Sequence, residues 1–282
     1  MSASASALKP LTKLMGTRVL VMGGTSGMGF SVAEAAMQHG AKVIISGSNE
    51  AKLDNALARL RRTFAAQAES PARFLLAGDS PDPDSSVTGH LCDLANPDTA
   101  ESNVEALLRF ATSSGLLDHV VFTAGDSFVT TPPKDATIAS VHRAFLVRST
   151  VPVIVAKYLP QYINMSYQGS FTLTGGSTAE KPQPGWSTLA SASAAVEGLT
   201  RGLAIDLKPL RVNCVAPGVV HTEIFNRVPE ERRESVLETY RKASTTGTVG
   251  RPEDLAEAYL YCMRDHYVTG TTIASNGGRL LV

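Results

Sequence analysis

RVLVMGGTSGMG, residues 18–29, is the stretch on which the fold turns. Arg18–Met22 is a short apolar run of strand type, bounded by Gly16 and by a glycine cluster. The cluster, Gly23 to Gly29, has the spacing G-x-x-x-G-x-G. Phe30 to His39 then reads as a helix, closed by Gly40 at the expected C-terminal position. In such a strand–turn–helix, Gly23 permits the tight turn, Gly27 lets backbone approach a diphosphate, and Gly29 lets helix and strand pack closely. The N–H groups and dipole of the helix N-terminus then stabilise negative charge. Gly23, Thr25, Ser26, Gly27, Met28 and Gly29 are therefore candidate dinucleotide contacts. A glycine-rich turn without a ligand is the plainer alternative.

Outward from this unit the alternation continues. Lys42–Ser46 reads as a second buried strand, and Glu50 to about Phe64 as a helix with Leu53, Leu57 and Leu60 on one face. Residues 69–86, with Pro71, Pro81 and Pro83, have the composition of a surface loop. Strand-like runs recur at Gly89–Cys92, His119–Thr123, Gly169–Leu173, Arg211–Val215 and Thr271–Ala274. Helical stretches lie between most of them, the longest being Ser140–Tyr162 and Ser187–Asp206. Seven strands alternating with helices predict a parallel sheet covered on both faces. The expectation is one doubly wound Rossmann-type α/β domain over 16–282, preceded by a flexible tail over 1–15.

Composition narrows the partners. Of 282 residues, 26 are Lys or Arg and 26 Asp or Glu, a balance that argues against nucleic acid or an anionic membrane surface. Charged residues are 18%, below the roughly 25% of an ordinary soluble domain, so part of the surface is expected to be buried in a homo-oligomer, a dimer or tetramer. Cys92, Cys214 and Cys262 form no CxxC pair, and the six histidines are dispersed. That pattern suits buried thiols in a reducing, cytoplasmic compartment and predicts no metal site. No apolar run approaches the ~18–20 residues of a membrane span, and MSASASALKP has no apolar leader core.

The end of the second strand bears on which dinucleotide is bound. An NAD site places Asp or Glu there to accept from the ribose 2′-hydroxyl. Here Ser46-Gly47-Ser48-Asn49 carries no carboxylate before Glu50. Ser48 and Asn49 can donate to a 2′-phosphate and Lys52 lies one helical turn on, so NADP(H) is the expected cofactor. Ser48 and Asn49 could equally do no more than cap the helix.

With these segments in hand, the sequence resembles the short-chain dehydrogenase/reductase family over nearly its whole length. The resemblance is carried by VLVMGGTSGMG, HLCDL, VVFTAG at 120–125, RVNCVAPGVVHT at 211–222, GRPEDLAEA at 250–258 and a terminal NGG. It implies that Asp93 and Leu94 flank the adenine and that Thr123, Ala124 and Gly125 line the cleft. It implies too that Pro217, Gly218, Val220 and Thr222 hold the nicotinamide carboxamide.

The family's proton-transfer apparatus does not carry over. Its Tyr-x-x-x-Lys pair precedes a stretch like AAVEGLTRGLA, which here starts at Ala194, so the two positions fall on Leu189 and Ser193. No tyrosine lies between Tyr167 and Tyr240. The serine that ends the fifth strand becomes Gly175 or Gly176 with Ser177 nearby, and the helix asparagine falls at Val147 or Arg148. Hydride addition to a carbonyl makes an alkoxide and needs an acid, typically worth ~10²–10⁴ in rate. Addition to an iminium only neutralises a cation, and a cycloaddition needs orientation and exclusion of water.

A narrower resemblance agrees. TLTGGSTAEKPQPGWS and SNGGRLLV look like the fungal bifunctional reductase/Diels–Alderases of bicyclic prenylated indole alkaloid biosynthesis, which derive from this family and also lack the pair. It implies that Trp186 lines the substrate pocket and Arg148 the cofactor–substrate side of the cleft. Where those enzymes carry an aspartate important for turnover, this chain has Gln183. Arg148, Trp186 and Gln183 are thus the candidate catalytic residues. A loop anchor remains the plainer role for Trp186, and an interface or surface ion pair for Arg148.

The expected activity is NADPH-dependent reduction of an iminium-like intermediate of a polycyclic or indole alkaloid, coupled to stereoselective cyclisation. Two alternatives stay open: a carbonyl reductase with a relocated acid at His221, Lys181 or Glu180, and a cofactor-binding protein without redox turnover.

Overall fold

The computed structural model describes residues 10–70, 82–125 and 130–282. Seven strands form one sheet: β1 (Arg18–Met22), β2 (Lys42–Gly47), β3 (Val87–Leu91), β4 (His119–Phe122), β5 (Ser170–Thr174), β6 (Arg211–Pro217) and β7 (Thr272–Ser275). Their order is β3-β2-β1-β4-β5-β6-β7, and every neighbouring pair is parallel. The register sets Leu20 of β1 beside Ile44 of β2 and Val120 of β4. Both neighbours of β1 are reached by crossovers leaving in opposite directions, so a crevice opens at the carboxyl ends of β1 and β4, the usual ligand position in such sheets.

The strands are apolar on both faces because both are covered, as all-parallel sheets require. Alternate residues serve two cores. Leu20, Met22, Val120 and Phe122 face one, packed with Leu107, Val155, Leu159 and Leu203. Val19, Val21, Val43, Ile45 and Val121 face the other, packed with Val32, Leu60, Leu260 and Met263.

The helices are α1 (Gly27–Gln38), α2 (Glu50–Ala68), α3 (Ala100–Ala111), α4 (Ile138–Phe145), α5 (Val151–Tyr162), α6 (Ser187–Asp206), α7 (Glu230–Lys242) and α8 (Pro252–Arg264). Between α4 and α5 the chain stays helical but widens into a π turn, Leu146–Thr150. The expected single helix over 140–162 is therefore two α segments joined by a wider turn. By length and composition, an 18-residue window within Ile138–Tyr162 is apolar enough to cross a membrane. This amends the expectation that no segment approaches that limit. Here one face of this helix packs into the core through Val147, Val151, Val155 and Leu159.

Three further boundaries differ from expectation. α1 begins at Gly27, not Phe30, because the glycine turn itself supplies the first helical residues. β3 begins at Val87, preceded by a helical turn at Pro83–Ser86 inside the segment read as loop; residues 71–81 of that segment lie outside the described residues. Of the expected tail over 1–15, residues 1–9 lie outside the described residues, whereas Leu14 is 1% exposed in the core against α1 and β2.

Candidate functional site

The turn after β1 is built as its glycines require. Gly23 has φ +90°, and a Cβ there would stand 2.6 Å from the Ala124 backbone nitrogen. A Cβ on Gly29 would overlap the Gly23 carbonyl and the Thr123 hydroxyl. The N–H groups of Gly23 and Gly24 both donate to the Ser46 carbonyl at 3.0 Å, which ties the turn to the end of β2. The Thr123 hydroxyl donates to the Met22 carbonyl at 3.0 Å and ties it to the end of β4. At the start of α1, the Ser26 side chain makes no capping bond and the first turn holds no carboxylate. The helix N-terminus thus has no cap from its own first turn.

One cleft gathers most of the expected cofactor contacts. Gly23, Thr25, Ser26, Met28 and Gly29 line it from the first turn, and Ser48, Asn49 and Lys52 from the end of β2. Asp93 and Leu94 enter from the end of β3, Ala124 and Gly125 from the end of β4. Val147, on the π turn, closes the far side. A cradle that any Cβ would fill, a helix N-terminus with no cap from its own first turn and a polar 48–52 corner with one cation fit a dinucleotide.

Several of these residues also do structural work. The Asn49 side chain accepts from the Lys52 N–H at 2.9 Å and caps α2, leaving its amide NH₂ as a donor. Asp93 accepts from the Ala95 N–H at 2.9 Å, closing a local turn. Burial raises the Cys92 thiol to about 12, which makes it an inert wall.

The segment after β6 is placed differently. Thr222 borders the first turn, its Cγ2 3.2 Å from where a Gly27 Cβ would stand. Pro217 is buried at the end of β6, opposite Ser275 of β7. Gly218 and Val220 line a second cavity, between β6, α7 and the end of β7, rather than the first cleft. The feature the sequence did not disclose is Glu223, whose Oε2 accepts from the Gly27 N–H at 3.0 Å. The two residues are 196 positions apart, so no local pattern could have signalled it.

The catalytic candidates divide. Arg148 rides on the π turn, its guanidinium carbon 3.3 Å from where a Cβ on Gly125 would be, so it stands at the mouth of the cofactor cleft. Ser149 beside it donates to the Ala192 carbonyl at 3.0 Å and pins the π turn to α6. Trp186 is half-buried at the start of α6, where its N–H donates to the Gln183 carbonyl at 3.0 Å. Gln183 points at Tyr240 of α7, with Nε2 to hydroxyl 3.5 Å. Leu189 is 3% exposed and Ser193 is 5% exposed, the latter hydrogen-bonded to the Thr178 hydroxyl at 3.1 Å. An apolar side chain and a neutral hydroxyl pair therefore occupy the positions that the resemblance assigns to tyrosine and lysine. Of the relocated acids, the Lys181 ammonium donates to the Arg279 carbonyl at 3.2 Å, Glu180 is exposed, and the His221 ring lies 5.6 Å from that of Phe225. Among the described residues no group of three or more His, Cys, Asp or Glu could hold a metal.

Sheet order and glycine cradle together define a Rossmann-type α/β protein of the dinucleotide-binding class. Comparison places it more closely. The family described as SDR-like Rossmann domain matches residues 11–282, and the chain belongs to the short-chain dehydrogenase/reductase family. It is 42% identical to the short-chain dehydrogenase/reductase malC of Malbranchea aurantiaca, over 95% of this chain and 96% of that one. It is 40% identical to fsr5 of Gibberella fujikuroi, over 98% and 99%. The solved structure of the MalC reductase/Diels–Alderase superposes with a TM-score of 0.87 at 41% identity, covering 97% of this chain and all of that one. A small-chain dehydrogenase solved in complex with NADPH superposes at 0.68, with 26% identity over 95% of this chain and 100% of that one.

Proposed function

We propose that this protein is an NADPH-dependent reductase of fungal secondary, alkaloid-type metabolism. It delivers hydride to an iminium-like carbon without a tyrosine–lysine proton donor and steers a stereoselective, Diels–Alder-type cyclisation in the same cleft. The observation that carries the reading is the buried Leu189 with the Ser193–Thr178 hydroxyl pair, where a carbonyl reductase needs an acid. The likeness to a protein named a reductase/Diels–Alderase supports it.

In this reading the N-terminus of α1 with Gly23, Gly27 and Gly29 receives the diphosphate in place of the Glu223 carboxylate, and Ser48, Asn49 and Lys52 donate to the 2′-phosphate. Asp93 and Leu94 flank the adenine, Ala124 and Gly125 floor the cleft, and Thr222 borders its nicotinamide end, while Gly218 and Val220 face the second cavity. Held by these residues, a reduced nicotinamide would supply hydride chemistry at this end of the cleft. A hydride added to an iminium carbon would move the C=N π pair onto nitrogen and leave a neutral amine, so that no proton donor is needed. Arg148 offers donors to acceptor oxygens at the Gly125 end, Trp186 a flat apolar wall, and Gln183 a neutral amide.

The protein is further read as a cytoplasmic homo-oligomer, in keeping with three buried free thiols. The exposed apolar residues Ile138 (78%), Val153 (46%) and Ile205 (69%), on α4, α5 and α6, support a dimer or tetramer built through those helices.

The deciding experiment is stopped-flow oxidation of bound NADPH by a cyclic iminium and, separately, by a simple ketone. Oxidation by the iminium alone is expected. Oxidation by the ketone alone overturns the reading in favour of a relocated acid, and tight binding with oxidation by neither leaves a cyclase or a non-redox role.

A further inference from the structure

The second cavity has a volume of about 180 Å³ and is walled by α7, the turn at 244–248 and the residues after β7. Arg279 lines it at 7% exposure. Among the described residues its guanidinium makes no salt bridge and no side-chain hydrogen bond, and it lies over the Tyr240 ring, 5.9 Å from guanidinium carbon to ring centroid. A largely covered arginine that faces a cavity without a carboxylate beside it favours an anion that enters, because a charge pair in a confined site gains more than one in bulk water.

The rest of the lining points the same way. The Tyr240 hydroxyl already accepts from Gln183, so its own proton is left to donate. Asn276 uses its carbonyl oxygen on the Gly278 N–H, leaving its NH₂ as a donor. Lys181 lies behind, its ammonium on the Arg279 carbonyl. The one carboxylate in the wall, Asp254, is taken up by Arg251 through two contacts of 3.2 Å. Arg279, Tyr240 and Asn276 thus turn donors and positive charge toward the cavity, and the carboxylate in its wall is engaged by Arg251.

We propose that this cavity is a second binding site, for a small carboxylate, with Arg279 as its anion-binding residue. Its size suits an acid of benzoate dimensions, since an engineered cavity of ~150 Å³ takes benzene. Arg279 would bind the carboxylate oxygens side by side, and Tyr240 and Asn276 would complete their hydrogen bonds. The carboxylate could belong to a separate small acid or to an acidic arm of the substrate, since Tyr240 and Lys181 join the cavity to the Lys181–Trp186 loop.

The test is a fluorine-NMR titration of the intact protein with 4-fluorobenzoate, and with 4-fluorobenzamide as the uncharged isostere. Saturable binding of the acid is expected, at least tenfold tighter than the amide, with that advantage lost in Arg279→Met and partly kept in Arg279→Lys. Thermal unfolding of Arg279→Met separates binding from architecture. A ligand-binding arginine leaves Tm unchanged or raises it when removed, whereas a structural one lowers it. Equal binding of acid and amide, or undiminished acid binding by a folded Arg279→Met, overturns the proposal. The readout needs no turnover, so it stands or falls apart from the reductase reading. Where turnover is measured, competition between 4-fluorobenzoate and the iminium assigns the carboxylate to the substrate, and its absence assigns it to a separate acid.

Discussion

The Glu223 carboxylate sits at the amino end of α1, 3.0 Å from the Gly27 N–H, where a diphosphate would draw on the same donor. Glu223 opens the short helix Glu223–Arg227 that follows Thr222. Loading the cleft must therefore displace a like charge and shift the segment that borders the nicotinamide end. Glu223→Gln removes the repulsion and keeps the shape. NADPH affinity, measured by fluorescence titration, is expected to rise about 3- to 10-fold, worth roughly 0.7–1.4 kcal/mol, with the gain shrinking at high salt. Weaker binding in the variant would show that the carboxylate helps hold the cofactor.

Ser48 lies at the corner where NAD-specific members of the class carry an acid. Ser48→Asp should weaken NADPH binding at least tenfold, through repulsion of the 2′-phosphate, and leave NADH binding unchanged or improved. A parallel titration of the two dinucleotides reads the ratio directly. An unchanged ratio would remove this corner from cofactor selection.

If no acid takes part in hydride transfer, the single-turnover rate with a cyclic iminium should show no protonation limb between about pH 6 and pH 9. Glu180→Gln and His221→Asn should each leave that profile within about threefold of the original. A limb that disappears in either variant would identify a relocated acid.

His119 is 2% exposed at the start of β4, bonded to the Ser170 hydroxyl at 2.9 Å. Burial, with Arg211 and His266 nearby, lowers it to about 3. In the unfolded chain it titrates near the usual ~6.5. Between those values the unfolded state binds one more proton than the folded state, so acidification destabilises the fold by up to about 1.4 kcal/mol per pH unit. Above pH ~6.5 the contribution is complete and flat. Urea unfolding across about pH 4–8 should show that slope, and His119→Asn should remove it.

The sheet was legible because its strands are continuous apolar runs. Val19–Met22 and Val120–Phe122 could be placed from pattern alone, and Ser187–Asp206 matches α6 end to end. The cofactor cleft was legible for the same local reason, since each of its corners is a turn immediately after a strand. What escaped depends on partners far along the chain. The π turn that carries Arg148 is a slip of hydrogen bonding that composition does not encode. The Glu223–Gly27 contact and the cavity at Arg279 join segments that meet only after the sheet has closed. Gln183 was weighed against a substrate cation, whereas its side chain meets Tyr240.

The π turn between α4 and α5 also sets how this helix tolerates change in length. One residue in a regular helix is worth about 100° of rotation, so an insertion normally re-aims everything beyond it. Here the extra residue is absorbed within Leu146–Thr150, and Val151, Val155 and Leu159 keep their places in the core. Removing one residue from that turn would withdraw the arginine from Gly125 while leaving the packed half of the helix in phase. The residue at the cleft mouth can thus be gained or lost without renegotiating the core.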